Sequence, residues 1–434
     1  MAPRRKPVIF LLLVALLVVG LVSTDKVHRL AVAQAGPAEY QELDLFTDVL
    51  ALVRKSYVEE VPLKDLIHGA INGMLAALDP HSSFLPPEMY QEMKIDTRGE
   101  FGGLGIEISI RDGILTIVAP IEDTPAHRAG LKAGDQILKI EDRFTKDMSI
   151  MDAVKLMRGK PGTTVTITIM RDLFDKPQEF TLKREIIKVR SIRAQTLEDG
   201  FGYLRVTQFQ ERTGDDLHKA LDLLRKENQG TLQGLVLDLR NNPGGLLDQA
   251  VEVADAFLRE GLIVYTEGRE AASQLRFSAR KSGSEPDYPM VVLINGGSAS
   301  ASEIVAGALQ DHQRAVVMGT QSFGKGSVQT IIPLGDQSGL RLTTARYYTP
   351  NGTSIQARGI TPDILVNPLE VSEAAEESHI REKDLEQHMN GAEPTEGGPQ
   401  FHLDEQMRKD YQLMRALDLL KGWQLLKKLD PKAA

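Results

Sequence analysis

Ser298, Ser300 and Ser302 alternate with alanine in Gly297-Ser298-Ala299-Ser300-Ala301-Ser302-Glu303, and Lys325 stands between two glycines in Gly324-Lys325-Gly326-Ser327-Val328-Gln329. A serine hydroxyl becomes an acyl-transfer nucleophile when a neighbouring base takes its proton, and an uncharged amine can be that base. Lysine is charged at neutral pH in water, but desolvation disfavours the ammonium and lowers its pKa. The two motifs therefore predict a serine hydrolase with Ser300 as nucleophile, Lys325 as base and Gln329 holding the amine. A Ser-rich run alone is more often a plain helix cap, so the lysine carries the argument.

The surrounding pattern says how these groups are positioned. Met290–Ile294 is a continuous apolar run ending at Asn295-Gly296-Gly297, which predicts a buried strand and a tight turn. Ser300 and Glu303 have capping-box spacing, and Ile304, Val305, Ala308 and Leu309 recur at helical intervals, so a helix starts at Ser300. Its unpaired N–H groups and positive dipole end favour negative charge nearby. Ala301 N–H is then one oxyanion donor by position, and a second is expected from Gly244-Gly245, between a strand at Gly234–Leu239 and a helix at Leu246–Leu258. The β-branched run from Ser327 to Leu334 predicts a strand, with Lys325, Ser327 and Gln329 on one face.

Two rival readings compete for these residues. Gly319 to Lys325 satisfies most of a phosphate-loop pattern, with Leu235–Asp238 as the acidic strand. Gly326 stands where magnesium needs Ser or Thr, however, and a β-branched segment follows where a helix should. A Ser-His-Asp triad lacks a histidine in reach: His312 lies about three turns along the same helix, roughly 18 Å away.

Three further runs join the serine and lysine motifs: Asp79-Pro80-His81-Ser82-Ser83, Leu239-Arg240-Asn241-Asn242-Pro243-Gly244-Gly245, and Tyr347 to Gly352 with Ser354-Ile355-Gln356. Together, from about Glu39 to Val366, the chain resembles the C-terminal processing peptidases, the tail-specific proteases of family S41. The resemblance implies a Ser300–Lys325 dyad supported by Gln329, with Gly245 as second oxyanion donor and Gly244 as the alternative. It makes Ser298 and Ser302 structural. It also implies an α/β fold: a ClpP/crotonase-like core, an inserted PDZ domain and helical N- and C-terminal segments. Pattern alone supports only α/β with a buried sheet.

Phe101-Gly102-Gly103-Leu104-Gly105-Ile106, followed by Ala129-Gly130-Leu131-Lys132-Ala133-Gly134-Asp135 through Leu138, resembles a PDZ domain, with a helix at Ser149–Arg158 and strands at Thr164–Met170 and Glu179–Lys183. The N–H groups of Leu104, Gly105 and Ile106 can form a nest for a terminal carboxylate, while a peptide adds a strand beside Ile106 to Ile110. Ile106, Ile108, Val154 and Met157 are candidate pocket linings. Arg158 is a candidate for attracting the carboxylate. Capture of a substrate C-terminus and delivery to Ser300 follow, and relatives imply that PDZ occupancy gates the site.

The rest of the sequence bounds the class. In 434 residues with net charge −9, no basic patch stands out beyond the N-terminus, which argues against nucleic-acid binding. The absence of cysteine excludes disulfides, a thiol nucleophile and cysteine metal sites; no cofactor or metal is expected. Arg4, Arg5 and Lys6 precede an apolar run from Val8 to Val22 and an A-x-A-like site near Ala33–Ala35, which reads as a secretory signal and places the enzyme in the periplasm, with an uncleaved membrane anchor as the alternative. The expected organisation is signal 1–35, helical segment 36–95 for core packing or dimerisation, PDZ 96–187, protease core 188–369, acidic linker 370–400 and C-terminal assembly helix 401–434. The last shows a stripe of Leu403, Met407, Tyr411, Met414, Leu417, Leu420 and Trp423. Expected partners are protein substrates with accessible C-termini and a second copy of the chain; relatives add a helical-repeat lipoprotein adaptor. A catalytically silent PDZ scaffold is the alternative of another class, opposed by intact Ser300, Lys325 and Gln329.

Overall fold

The computed structural model describes residues 37–111, 113–146, 148–171, 174–198, 200–269, 274–280, 285–369 and 405–429. The signal at 1–35 and the linker at 370–400 lie outside them. Among the described residues no helix is long and apolar enough to cross a membrane. The chain divides into a unit ending at Phe84 and a larger one from Leu85. The first contains helices Pro37–Ser56 and Leu63–Ala76.

Near the start of the larger unit lies helix Pro87–Arg98, which spans the expected boundary at residue 95. Proline at its first turn and Gly99 in the left-handed region at its end, φ 69°, are the signals that mark it. The PDZ sheet follows in the order Ile106–Arg111, Ile114–Pro120, Gln136–Ile140, Thr164–Met170, Gln178–Lys183. Helix Ile150–Met157 is capped by Ser149, whose hydroxyl accepts from Asp152 N at 3.1 Å. Leu115, Ile117, Ile137, Ile140, Val165, Ile167 and Ile169 fill this core.

The second core is built on six strands in the order Ile192–Glu198, Phe201–Val206, Gly234–Asp238, Met290–Ile294, Val316–Gly319 and Ile364–Leu365. All pairs are parallel except the first. Every residue of Gly234–Asp238 and Met290–Ile294 is buried, as continuous apolar runs in a sheet covered on both faces require. Helices Thr213–Glu227, Leu247–Asp255 and Ala301–Asp311 pack on one face. The other face is closed by the chain's own helix Tyr411–Leu429, through Leu413, Ala416, Leu417 and Leu420 against Val236, Val291, Leu293 and Met318. Of the stripe expected to serve assembly, Met407, Tyr411, Met414, Leu417 and Leu420 pack on the chain's own sheet, because these strands have a second apolar face to cover; Leu403 lies outside the described residues, and from Trp423 to Leu429 large apolar side chains are exposed. A second, antiparallel sheet pairs Ser327–Pro333 and Leu262–Gly268 with Gly339–Tyr348.

Candidate active site

The site lies where the carboxyl ends of two adjacent parallel strands, Gly234–Asp238 and Met290–Ile294, open into turns. In open α/β sheets this is where ligand sites form. The second turn runs straight into helix Ala301–Asp311, with Ser300 as its N-cap at φ 56° and ψ −112°. A non-glycine residue in such a conformation costs roughly 1–3 kcal/mol and persists only where its surroundings over-determine it.

Those surroundings are explicit. The Asn242 carbonyl accepts from Ala299 N at 2.9 Å and from Ser302 Oγ at 2.8 Å. Ser298 Oγ donates to the Leu239 carbonyl at 2.8 Å. The two outer serines therefore tie the Ser300 turn to the neighbouring turn. Asn241 and Asn295 link the same turns through Asn241 N to Asn295 Oδ1 and Asn295 Nδ2 to Asn241 Oδ1, both 2.9 Å.

Glu303 does more than cap the helix. Its fully buried carboxylate accepts Ser300 N at 2.7 Å and Lys325 N at 2.9 Å on Oε2, and Ser322 Oγ and Gly324 N, each at 2.6 Å, on Oε1. One oxygen thus gathers the backbones of Ser300 and Lys325, which are far apart in sequence. Sequence reasoning assigned Glu303 only to the capping box and missed this role; the pattern gives no sign that the glycine-flanked loop returns to it.

Lys325 is half-buried, and desolvation, with the Arg341 charge as the smaller contributor, lowers its pKa below the ordinary lysine value. Its Nζ has no hydrogen-bond or ion-pair partner among the described residues, so the side chains of Ser300, Lys325 and Gln329 are not yet bonded to one another. Gln329 Nε2 donates to Thr343 Oγ1 at 2.8 Å and Ser327 Oγ at 3.3 Å, leaving Oε1 buried without a partner. A buried acceptor without a donor is costly. Lys325 precedes the strand rather than lying in it, and the ladder shifts register between Val328 and Gln329, so simple alternation does not fix their common face.

The two glycines of the first turn differ. Gly244 N–H is engaged by Asn242 Oδ1 at 2.9 Å, and a Cβ on Gly244 would stand 2.9 Å from Ser300 Cβ. Gly245, at φ 142°, is locked by its neighbours: Phe209 N donates to Gly244 O and Leu246 N to Phe209 O, both at 2.9 Å. The N–H groups of Gly245 and Ala301 have no acceptor among the described residues. The phosphate-loop alternative fails here, because strand Ser327–Pro333, not a helix, follows Lys325. His312 ends the helix, its Nε2 2.7 Å from Leu262 O.

In the PDZ core a groove is lined by Leu104, Gly105, Ile106, Ile108, Val154, Met157 and Arg158, all seven sequence candidates, together with Phe101 and Gly103. Gly105 has φ 76°, and a Cβ there would meet Thr124 at 2.3 Å. The N–H groups of Leu104 and Gly105 have no acceptor among the described residues. The Arg158 guanidinium lies 4.6 Å from the centre of the Phe101 ring, a cation–π contact that leaves the charge at the groove's mouth. Among the described residues no cluster of side chains could hold a metal ion.

Three family models match the chain: Peptidase family S41 over residues 200–366, a PDZ domain over 102–183, and the Activating protease CtpB N-terminal domain over 21–89. The Carboxy-terminal-processing protease of Bartonella bacilliformis is 49% identical over 88% of this chain and 89% of its own length. The Carboxyl-terminal-processing protease of Synechocystis sp. is 42% identical over 73% of this chain and 74% of its own. Among solved structures, the photosystem II D1 C-terminal processing protease is 30% identical, covering 74% of this chain and 92% of that one at a TM-score of 0.44. With a relative of such identity spanning almost its whole length, the chain belongs to peptidase family S41, the PDZ-containing serine proteases of the carboxy-terminal-processing type.

Proposed function

We propose that this protease cleaves exported proteins with a Ser300–Lys325 dyad. The observation that carries the reading is the convergence of Ser300 N and Lys325 N on one oxygen of buried Glu303. A half-buried Lys325 with a lowered pKa supports it. Neutral Lys325 accepts the Ser300 proton, Oγ attacks the scissile carbonyl, and Gly245 and Ala301 N–H stabilise the oxyanion. The protonated amine then returns its proton to the leaving amine, and water releases the acyl group. Gln329 Oε1 holds the amine once Nζ swings to it; Gly244 is the less suited donor because its N–H is occupied. The test is a casein digest by the chain from Gly36 onward, beside Ser300→Ala and Lys325→Ala. Undiminished cleavage by either variant would end the reading. Extracts of producing cells are assayed in parallel, because relatives use partners.

The PDZ groove captures substrate C-termini. Peptides with a free terminal carboxylate are expected to be cleaved several-fold faster than the same peptides amidated, since the Leu104 and Gly105 N–H groups and Arg158 lose their anion. Equal rates in a competition digest would remove capture from the mechanism. Capture also gates the site: the strand Glu100–Gly103 lends Phe101 and Gly103 to the groove, and just before its start Gly99 packs against Gln210, next to the Phe209 backbone that flanks Gly245.

Compartment and assembly complete the proposal. The Arg4-to-Ala35 signal supports a periplasmic site with substrates such as cell-wall hydrolases, delivered in some relatives by a helical-repeat lipoprotein. Helix Pro37–Ser56 exposes Leu43, Phe46, Val49 and Leu52, a face suited to a second copy of the chain. The mostly parallel sheet flanked by helices supports a ClpP/crotonase-like core.

A further inference from the structure

The segment that supplies Gly245 is anchored at its base by Arg240, and Arg240 is held by the far end of the chain. Its Nε and backbone N donate to Asp238 Oδ1, both at 2.9 Å, and Nη2 to Asp238 Oδ2 at 2.7 Å. The remaining donors leave the S41-matched region: Nη1 and Nη2 pair with the two carboxylate oxygens of Asp410 at 2.9 and 2.6 Å, and Nη1 reaches Gln412 Oε1 at 3.0 Å. Asp410 is at the same time the N-cap of helix Tyr411–Leu429, its Oδ1 accepting Leu413 N at 3.1 Å. Gln412 Nε2 donates to the Val366 carbonyl at 2.7 Å. Tyr203 hydroxyl completes the set on Asp238 Oδ2 at 2.7 Å.

Burial works against the Arg240 charge, yet its hydrogen bonds to Asp238 and Asp410 hold its pKa above the ordinary arginine value. Burial likewise opposes the Asp410 charge, and Arg240 overrides it, so the Asp410 pKa is lowered. Without Asp410, a nearly buried guanidinium faces one carboxylate and keeps only the Gln412 Oε1 acceptor on its outward side. A bidentate pair fixes direction as well as charge. Arg240 is followed by Asn241 at φ 56° and by Asn242, whose side chain sets Gly244 N–H and whose carbonyl holds the nucleophile turn. Rotation of Arg240 is therefore passed along a short, tightly bonded segment to the Gly245 N–H.

We infer that Asp410, at the start of the C-terminal helix, is a positioning residue for proteolysis: through Arg240 it aims the Gly245 N–H at the reacting carbonyl oxygen. The C-terminal helix is thus part of the catalytic apparatus as well as of the core. This rests on the oxyanion role given to Gly245 above.

The test uses the full-length enzyme and Asp410→Asn, which keeps the helix cap but removes the charge, with Asp410→Glu as the conservative rescue and Asp418→Asn, in an exposed ion pair on the same helix, as control. Peptide cleavage gives kcat and KM, and inhibition by a tetrapeptide aldehyde with apolar side chains is compared with that by the corresponding alcohol, since only the aldehyde forms a tetrahedral oxyanion. Asp410→Asn is expected to lower kcat by about 10- to 100-fold with KM within about twofold, and to lose the aldehyde preference in parallel, because removing one oxyanion donor outright costs roughly 10²–10³-fold and misaiming it costs less. Asp410→Glu should recover part of both, and Asp418→Asn should match wild type. Unchanged kcat with only a lower melting temperature would overturn the inference, as would a parallel change in KM or a retained aldehyde preference. If Asp410→Asn does not fold, Arg240→Lys, which keeps the charge and loses the fork, must show the same split or the inference fails. Wild-type enzyme that cleaves but shows no aldehyde preference would instead remove the oxyanion assignment itself.

Discussion

Lys325→Ala is expected to lower kcat/KM for a peptide substrate by at least about 10³-fold, about 4 kcal/mol of transition-state stabilisation, while leaving the protein folded. The side chain is half-buried and its Nζ bonds to nothing among the described residues, so its loss leaves no stranded partner beyond the already open Gln329 Oε1. Stability should therefore stay within about 1 kcal/mol of wild type, the scale for removing a side chain without a buried partner. Ser300→Ala should lose as much activity, and the double variant little more than either alone, because residues that act as a unit are non-additive. Steady-state kinetics on the three variants checks this. Additive losses would mean that the two residues do not share one proton transfer. Lys325→Arg should not rescue, since a guanidinium stays protonated at every accessible pH.

The second large effect belongs to Glu303. Its two oxygens take four donors in a fully buried site, and three of those are backbone N–H groups that cannot turn away. Glu303→Gln replaces one acceptor oxygen by an NH2 group, so either the Ser300/Lys325 pair or the Ser322/Gly324 pair faces a donor. Each buried group left unsatisfied costs about 1–3 kcal/mol. Ser322 can rotate its hydroxyl; Gly324, Ser300 and Lys325 cannot rotate their amides. We expect Glu303→Gln to lower kcat by about 100-fold or more and to reduce the thermal midpoint by several degrees, the latter following from at least one stranded amide at ~1–3 kcal/mol in a domain of this size. Peptide binding to the PDZ groove, measured by fluorescence anisotropy, should be unchanged, because the groove shares no residue with this network. Wild-type kcat in Glu303→Gln would show that the common carboxylate does not align the pair.

What the sequence made legible follows from the range of each interaction. Continuous apolar runs become buried strands because a sheet covered on both faces admits nothing else, and Met290–Ile294 is found at the residues the pattern marks. The PDZ groove was readable because its lining comes from two short strands, the loop between them and one short helix with recognisable spacing. Phe101 escaped notice because its ring matters through a contact with Arg158, and no local pattern announces that contact. Glu303 was hidden behind an adequate local explanation: the capping box accounts for the residue type without the lysine loop. Gly244 and Gly245 look equivalent as a string and differ in the fold, where Asn242 occupies the N–H of Gly244. The stripe of the C-terminal helix reveals that a face must be covered but not by what, and its anchor pairs positions 170 residues apart.

The central claim is that an uncharged Lys325 removes the Ser300 proton, and the pH profile of kcat/KM tests it most directly. Desolvation lowers the lysine pKa, and a base works only when deprotonated, so activity must be low on the acid side and rise with pH through that pKa. The account predicts a single ascending limb with its midpoint below the ordinary lysine range, absent from the residual activity of Lys325→Ala. The same limb surviving in Lys325→Ala, or an inflection at the value of a free lysine, would contradict it.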